Sequence, residues 1–228
     1  MRQRTSFLAA LPLLVAAAVM APAAYARDNY RAQDRIDDAT GIVNQMKQDP
    51  NLTLLLDQAR GVFIIPHYGK AGFIVGGQGG GGVVLVKHDG RWSDPAFYSI
   101  GGGSIGLQAG ASGGSVAMLL MTPRAVRHFE RDNNGKWSLS ANAGLTLVTY
   151  NGGASVATGG DVVIWSDTRG LYAGLTAGVA DITPDRHMDH EYYQAEVTPH
   201  DILSGAVAVH NPAVHDLRDA LSKRVASR

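Results

Sequence analysis

Glycine content is the feature that most restricts how this chain can fold. The sequence holds 28 glycines among 228 residues, and most of them lie between Gly61 and Gly178. They follow no Gly-X-Y period, and an apolar fraction of 45% is too high for a disordered chain. Glycine within strands removes side-chain bulk, which permits strong curvature or the close approach of a second layer or a ligand. Curvature is the simpler explanation, so we expect a curved sheet.

Residues 61–179 carry the periodicity of short β-strands. Apolar, β-branched runs occupy residues 62–65, 73–75 and 83–86, separated by residues 66–69 and 76–82. Later segments alternate apolar with small or polar residues over 105–110, 137–147 and 171–179, which is typical of strands with one buried face. The hairpin-type dipeptides between the strands are Asp89-Gly90, Asn134-Gly135 and Asn151-Gly152.

Helical patterns flank and interrupt this region. Residues 28–60 place Ile36, Val43 and Met46 near one helix face, with a break at Asp49-Pro50. Helices are also predicted over residues 123–131, 198–203 and 212–226. In the last of these, Asn211 can cap the helix and Pro212 suits its first turn. Its apolar stripe consists of Val214, Leu217, Leu221 and Val225.

These patterns predict an α+β fold. We expect mostly antiparallel, curved, glycine-rich β-sheets, in a barrel-like or two-sheet arrangement, with flanking helices. No linker divides the chain after residue 26, so residues 27–228 are predicted to form a single domain.

The N-terminus has the pattern of a secretory signal peptide. Arg2 and Arg4 precede an apolar run over residues 7–20, and Ala24-Tyr25-Ala26 is a small-x-small cleavage site. We therefore expect residues 1–26 to be removed and the mature protein to be periplasmic or secreted. An uncleaved anchor is the alternative, although the apolar run is short for a transmembrane helix.

Charge and cysteine content argue against several classes of protein. Basic and acidic residues number 20 each, and removal of Arg2 and Arg4 leaves the mature chain slightly acidic, so no nucleic-acid partner is expected. The absence of cysteine rules out a disulfide, a thiolate site and a lipidated cysteine.

Two glycine motifs resemble catalytic or cofactor-binding signatures. The spacings Gly77-x-Gly79-x-x-Gly82 and Gly101-x-Gly103-x-x-Gly106 match a dinucleotide fingerprint, but β-type sequence follows both where a helix is needed. Gly110-x-Ser112-x-Gly114 matches a nucleophile elbow, for which Asp161 and His187 would have to complete a triad. The structural interpretation is favoured for both, so we expect no enzyme activity and no cofactor.

The densest group of metal-binding residue types is His187, Asp189, His190 and Glu191. On a helix, the two histidines and Glu191 would occupy neighbouring positions on one face. Their order fits neither common zinc-peptidase signature. A solvated helix start is the commoner explanation, so no metal is predicted.

An ordered set of short segments resembles the SYLF domain family. It begins with LLLDQARGVFIIP at residues 54–66, followed by KAGF at 70–73 and the glycine run at 76–82. Further matching segments are residues 92–98, 106–110, 141–149, 172–175, 192–193 and 201–203. The resemblance covers roughly residues 51–205, most of the chain.

The resemblance implies a non-catalytic, lipid-binding module. Bacterial members are typically exported, and membrane-binding relatives use a basic N-terminal amphipathic helix. Here that segment is balanced by aspartates, which weakens its attraction to anionic headgroups. We therefore expect an exported envelope protein that binds phospholipid or a membrane surface. The family is also associated with actin binding, but actin is not expected as a partner of an exported chain.

The predicted lipid-binding residues are Arg60, Lys70, Phe73 and Gly79. Arg60 and Lys70 flank a buried strand pair and could meet a phosphate, with Phe73 and the loop at residues 76–82 nearby. The alternative is that both cations are ordinary surface charges. The alternative function is a structural or protein-interaction module of the cell envelope, with the C-terminal apolar stripe as its docking surface.

Overall fold

The computed structural model describes residues 17–72, 75–105, 110–131, 136–139, 144–150, 160–168, 180–208 and 211–222. The described residues form a curled, mostly antiparallel half-barrel sheet with six helices, which confirms the predicted α+β class. The helices are α1 (Ala17–Met46), α2 (Pro50–Gln58), α3 (Pro123–Glu130), α4 (Arg186–Tyr193), α5 (Pro199–Leu203) and α6 (Pro212–Ser222). The strands are β1 (Gly61–Gly72), β2 (Val75–His88), β3 (Arg91–Trp92), β4 (Ala96–Ile105), β5 (Gly110–Leu120), β6 (Trp137–Leu139), β7 (Leu147–Thr149), β8 (Val162–Ser166) and β9 (Ala180–Pro184).

The sheet is built around three long antiparallel pairings, β1 with β2, β1 with β5, and β2 with β4. Its strand order is β6-β9-β4-β2-β1-β5-β8-β7, and β3 pairs with β2 outside this path. All described pairs are antiparallel except β7 with β8. Helices cover both faces at one end of the sheet, so the apolar halves of β1, β2, β4 and β5 are buried on both sides.

Residues 66–69 and 76–82 were predicted to separate strands, and this prediction is wrong. Residues 66–69 continue β1 through a register shift between Ile65 and Tyr68, and residues 76–82 continue β2 as regular strand. The shifted segment of β1 lies so close to β2 that a Cβ on Gly80 or Gly82 would overlap a backbone carbonyl of β1. Glycine there permits a bulge, which is why a glycine run forms strand rather than loop.

The two sheet faces are distinguished by neighbouring aromatic residues of β4. Tyr98 lies on the face covered by α3, where its ring contacts Phe129. Phe97 lies on the face covered by α1 and α4, where its ring contacts Tyr192 and the guanidinium of Arg35. Because successive side chains of a strand point to opposite faces, the two helical layers lie on opposite sides of the sheet.

The predicted C-terminal docking stripe is part of the core instead. Val214, Leu217 and Leu221 of α6 are buried, and α6 packs against α1. Arg218 Nη2 lies 2.8 Å from the buried Asp94 Oδ1, and the Asn211 side chain donates a hydrogen bond to Gln33 Oε1 at 2.8 Å. Val225 lies outside the described residues. The three described residues of the stripe therefore stabilise this chain's own fold.

Other sequence predictions have mixed outcomes. Asp89 and Gly90 form the predicted turn with φ of 48° and 80°, and the predicted helices match α1 to α3, α5 and α6. The single strand predicted over 137–147 is wrong, because Gly144 forms a turn with φ of 66° and residues 145–146 are not strand. Residues 171–179, Asn134-Gly135 and Asn151-Gly152 lie outside the described part of the chain.

The described part of helix α1 begins at Ala17, inside the predicted signal peptide. None of the helices in the described ranges combines the length and the hydropathy needed to cross a bilayer.

Candidate functional site

The predicted lipid-binding residues lie at two different ends of the sheet. Arg60 is exposed just before β1, whereas Lys70 lies near the far end of the same strand and pairs with Gln78 and Ser112. At about 3.3 Å per residue, ten residues of strand separate them by roughly 30 Å, so one phosphate cannot contact both. Gly79 pairs with Gly69 and Gly101 at the Lys70 end. Phe73 lies outside the described residues.

Helix α3 is fixed near Arg60 by an aromatic cluster. Phe129 of α3 packs edge-to-face against Phe63, Tyr98 and Trp137, with ring centroids 5.2–5.6 Å apart. The Tyr98 hydroxyl donates a hydrogen bond to the Phe129 carbonyl at 2.6 Å. These contacts set the rotation of α3 about its axis and therefore which residues face outward.

The first turn of α3 is held by Asp161. The Thr122 side chain caps α3 by accepting a hydrogen bond from Ala125 N–H, and its hydroxyl donates to Asp161 Oδ1 at 2.6 Å. Arg124 Nη2 donates to Asp161 Oδ2 at 2.6 Å, and the Thr146 N–H donates to the same oxygen at 2.9 Å. Hydrogen bonding from Arg124 first, and then from Thr122 and Thr146, lowers the pKa of Asp161 to about 2.

The outer face of α3 carries a row of basic residues. Arg124, Arg127 and His128 have the spacing i, i+3, i+4 along one face of α3, and Arg131, the C-cap residue, follows at i+7. The three arginines are exposed, and neither Arg127 nor Arg131 has an acidic partner among the described residues. Burial against Trp137, and then the charges of Arg131, Arg124 and Arg127, lower the pKa of His128. The face therefore has a positive potential.

Further cations lie at the same end of the sheet. Gly61, next to Arg60, pairs with Leu120, and the chain enters α3 two residues after Leu120. Arg91 of β3 is exposed and lies opposite His88 of β2 in the strand register. The Nε2 atom of His88 lies 3.4 Å from Glu130 Oε1 of α3. We call this region the basic end, defined by Arg60, Arg91, Arg124, Arg127 and Arg131.

Several acids at the basic end are already engaged. Asp161 binds Arg124, and Glu130 lies beside His88. The Lys87 ammonium donates a hydrogen bond to the Asp57 carbonyl at 3.1 Å and lies over the Trp92 ring. Lys87 is therefore engaged in contacts within the fold. None of these acids contacts Arg127 or Arg131.

The catalytic motifs considered in the sequence do not assemble into a site. Ser112 lies within β5 opposite Lys70, whereas Asp161 lies beside Met121 at the other end of β5. Asp161 is also committed to Arg124 and to the cap of α3. The first glycine fingerprint falls within β2 and continues as strand, whereas Gly106 of the second lies outside the described residues.

The His187 to Glu191 segment forms α4, with both histidines exposed and Asp189 buried. His190 lies near Glu191 and Glu196, and the part of the chain that the structure describes holds no group of three possible metal ligands. The segment acts as a packed helix with a polar outer face.

Sequence reasoning placed a helix over 123–131 but did not identify its arginines as an exposed basic face. The signal was available in the spacing Arg124-x-x-Arg127-His128-x-x-Arg131. Only the packing of Phe129 into the aromatic cluster, however, determines that this face points outward.

Comparison with known proteins identifies the family. The Ysc84 family model, described as "Las17-binding protein actin regulator", matches residues 101–224. Protein YSC84 of Saccharomyces cerevisiae is 31% identical over 175 residues, which is 75% of this chain and 37% of that protein. The SH3 domain-containing protein PJ696.02 of Schizosaccharomyces pombe is 30% identical, covering 71% of this chain and 38% of its own length. The human SH3 domain-containing YSC84-like protein 1 is 27% identical over 66% of this chain and 45% of its own length.

No solved structure matches the chain. The chain spans less than half the length of these relatives. The family model covers more than half of the chain, and a relative above 30% identity aligns with three quarters of it, so the chain belongs to the Ysc84 family, as its SYLF-like motifs predicted.

Proposed function

We propose that this chain is a non-catalytic binding module of the cell envelope that attaches to anionic phospholipid surfaces through the basic end of its sheet. The observation that carries the proposal is the exposed arginine row of α3, held rigidly above an aromatic cluster. Arginines without acidic partners can donate several hydrogen bonds to a phosphate, and each contributes about 1 kcal/mol near an anionic membrane.

The docking of α1 supports attachment through a folded surface rather than through helix insertion. The apolar residues Ile36, Ala39, Val43 and Met46 of α1 are buried against the sheet and the other helices. An interfacial helix needs such a face free to enter the headgroup region. In this fold that face is occupied, whereas the arginine row is exposed.

Export to the envelope is part of the proposal. It is supported by the signal-peptide pattern of residues 1–26 and would place the basic end near lipid headgroups.

A flotation assay with vesicles tests the lipid proposal. The chain from Arg27 onward is used, so that the apolar residues of the predicted signal peptide cannot themselves bind vesicles. We expect co-flotation with phosphatidylglycerol-containing vesicles at low salt, weakening at high salt and with phosphatidylcholine alone. Replacing Arg127 with glutamate should reduce the bound fraction by about tenfold, because a favourable charge becomes a repulsive one.

The matched control is Arg31→Glu, which changes the same charge at an exposed position of α1 on the opposite side of the sheet. Arg60→Glu tests the cation predicted from the sequence. Cations near a helix C-terminus also stabilise the helix, so unfolding curves must accompany binding. Equal loss with Arg31→Glu and Arg127→Glu, or no flotation with any vesicle, would refute the proposal.

A protein partner is the second candidate, and the family description supports it. The matched family is described as Las17-binding and actin-regulating. An acidic protein surface could also bind the arginine row. Binding of an envelope protein that is lost with Arg127→Glu, in the absence of vesicle binding, would favour this candidate.

A further inference from the structure

The buried carboxyl group of Asp189 lies where α4 meets the edge of β4. Strand β9 pairs with β4 only as far as Tyr98, opposite Pro184. At the next residue, Phe97, α4 replaces the missing strand: the Asp185 N–H donates to the Phe97 carbonyl at 2.8 Å, and the Phe97 N–H donates to Asp189 Oδ1 at 2.9 Å. A side chain thus completes the hydrogen bonding of the sheet edge.

The environment of Asp189 is unusual for a carboxylate. Its side chain is 0% exposed, and Oδ2 is buried without a hydrogen-bond partner among the described residues. A buried ionised carboxylate needs a cation or several donors to offset the lost hydration. One N–H donor is present, so the neutral acid fits this site better than the anion.

Among the residues that the structure describes, Asp189 has no direct counter-ion. Arg35 of α1 pairs with Asp185 at 3.7 Å, and Arg218 of α6 pairs with Asp94 at 2.8 Å. The titratable and charged groups that interact with Asp189 are Asp185, which caps α4, Arg186 and Tyr193 of α4, and Tyr98 of β4. Burial, and then the charge of Asp185, raises the pKa of Asp189 to about 8 against the lowering by the Phe97 N–H.

Helix α4 is coupled to α1 through its first residues. Asp185 caps α4 by accepting a hydrogen bond from Met188 N–H, and it also pairs with Arg35. The Arg35 guanidinium fills the space above Gly81 and lies over the Phe97 ring. Displacement of α4 from β4 would therefore remove the partner that holds Arg35 and loosen α1 from the sheet.

We propose that Asp189 is a proton-controlled latch: the neutral acid seats α4 on the edge of β4, and ionisation releases α4 and, with it, the adjoining part of α1. The sign follows from the direction of the shift. Because the folded-state pKa lies above the ordinary value, the stabilisation is complete at low pH and is lost as the pH rises from about 4 through about 8.

Hydrogen exchange of the full-length chain, from about pH 5.5, inside the interval between the two pKa values, to about pH 9, just above the folded-state value, tests the latch. After correction for the intrinsic pH dependence of exchange, the opening equilibrium of α4 should rise by up to about tenfold per pH unit. Helix α3 is the internal reference and should show no such rise. Asp189→Asn keeps the Oδ1 acceptor but cannot ionise, so its α4 should open independently of pH.

Asp37→Asn, at an exposed position of α1, is the control and should behave as the wild type. Chelator is present throughout, so that metal binding to the nearby histidines cannot contribute. If Asp189→Asn does not fold, the wild-type protein alone still tests the latch, through the pH dependence of exchange in α4 compared with that in α3. Identical pH profiles for α4 and α3, or for wild type and Asp189→Asn, would overturn the latch.

Discussion

Replacing Gly82 with alanine should destabilise the domain by about 3 kcal/mol or more. A Cβ at this position would overlap the Ile64 carbonyl and lie 2.9 Å from Phe63 Cε2, and both neighbours are buried in the shifted region of β1. Neither can move without breaking strand pairing or the aromatic cluster beneath α3. Urea unfolding at neutral pH measures the change, with an unchanged m-value indicating that the folded state itself has lost stability.

Gly77→Ala is the matched control within the same strand. Gly77 is exposed, and a Cβ added there would meet no atom within 4 Å. Alanine should be neutral or stabilising by about 0.5 kcal/mol, because it reduces the conformational entropy of the unfolded chain. If Gly82→Ala and Gly77→Ala had equal effects, the close approach of β1 to β2 would not explain the glycine run.

Replacing Asp161 with alanine should cost about 3 kcal/mol and weaken vesicle binding as well. The change removes acceptors for Thr122, Arg124 and the Thr146 N–H, and Asp161 is 4% exposed, so water cannot readily replace it. The start of α3 would lose its anchor, and the arginine row would lose its fixed orientation. Thermal unfolding and flotation, measured on the same preparation, test both effects.

Asp181→Ala is the comparison for Asp161. Asp181 also has a basic partner, with Lys136 Nζ at 2.8 Å, but both side chains are substantially exposed. Its removal should cost less than about 1 kcal/mol. A larger loss for Asp181→Ala than for Asp161→Ala would contradict the assignment of Asp161 as the anchor of α3.

Acid should selectively remove the contribution of Asp161. Its folded-state pKa of about 2 lies below the ordinary value, so the stabilisation is present above about pH 4 and is lost as the pH falls towards 2. The stability difference between wild type and Asp161→Ala should therefore shrink by about 2 kcal/mol on acidification. This direction is opposite to that of Asp189, so acid and alkaline titrations separate the two carboxyl groups.

Local sequence chemistry was sufficient for several elements of the fold. The Asp89-Gly90 turn, the proline-led starts of α3, α5 and α6, and the apolar face of α1 each depend on neighbouring residues alone. The family was also recognisable, because its short motifs occur in a fixed order along the chain.

Tertiary structure decided what these elements do. The glycine run of β2 reads as a loop locally, but it is strand because a bulge in β1 needs its space. The stripe on α6 reads as a docking face, but α1 buries it. Arg60 and Lys70 flank one strand in the sequence, yet a continuous β1 holds them at opposite ends.

The glycines that dominate the sequence required a curved sheet, and the sequence by itself also determined the helices and the family. Which cations come together was decided only by the tertiary structure. The aromatic packing of Phe129 turns the arginines of α3 outward, and the strand pairing of Gly61 with Leu120 brings Arg60 to the same end. Long-range contacts of this kind depend on residues tens of positions apart, which no local pattern encodes.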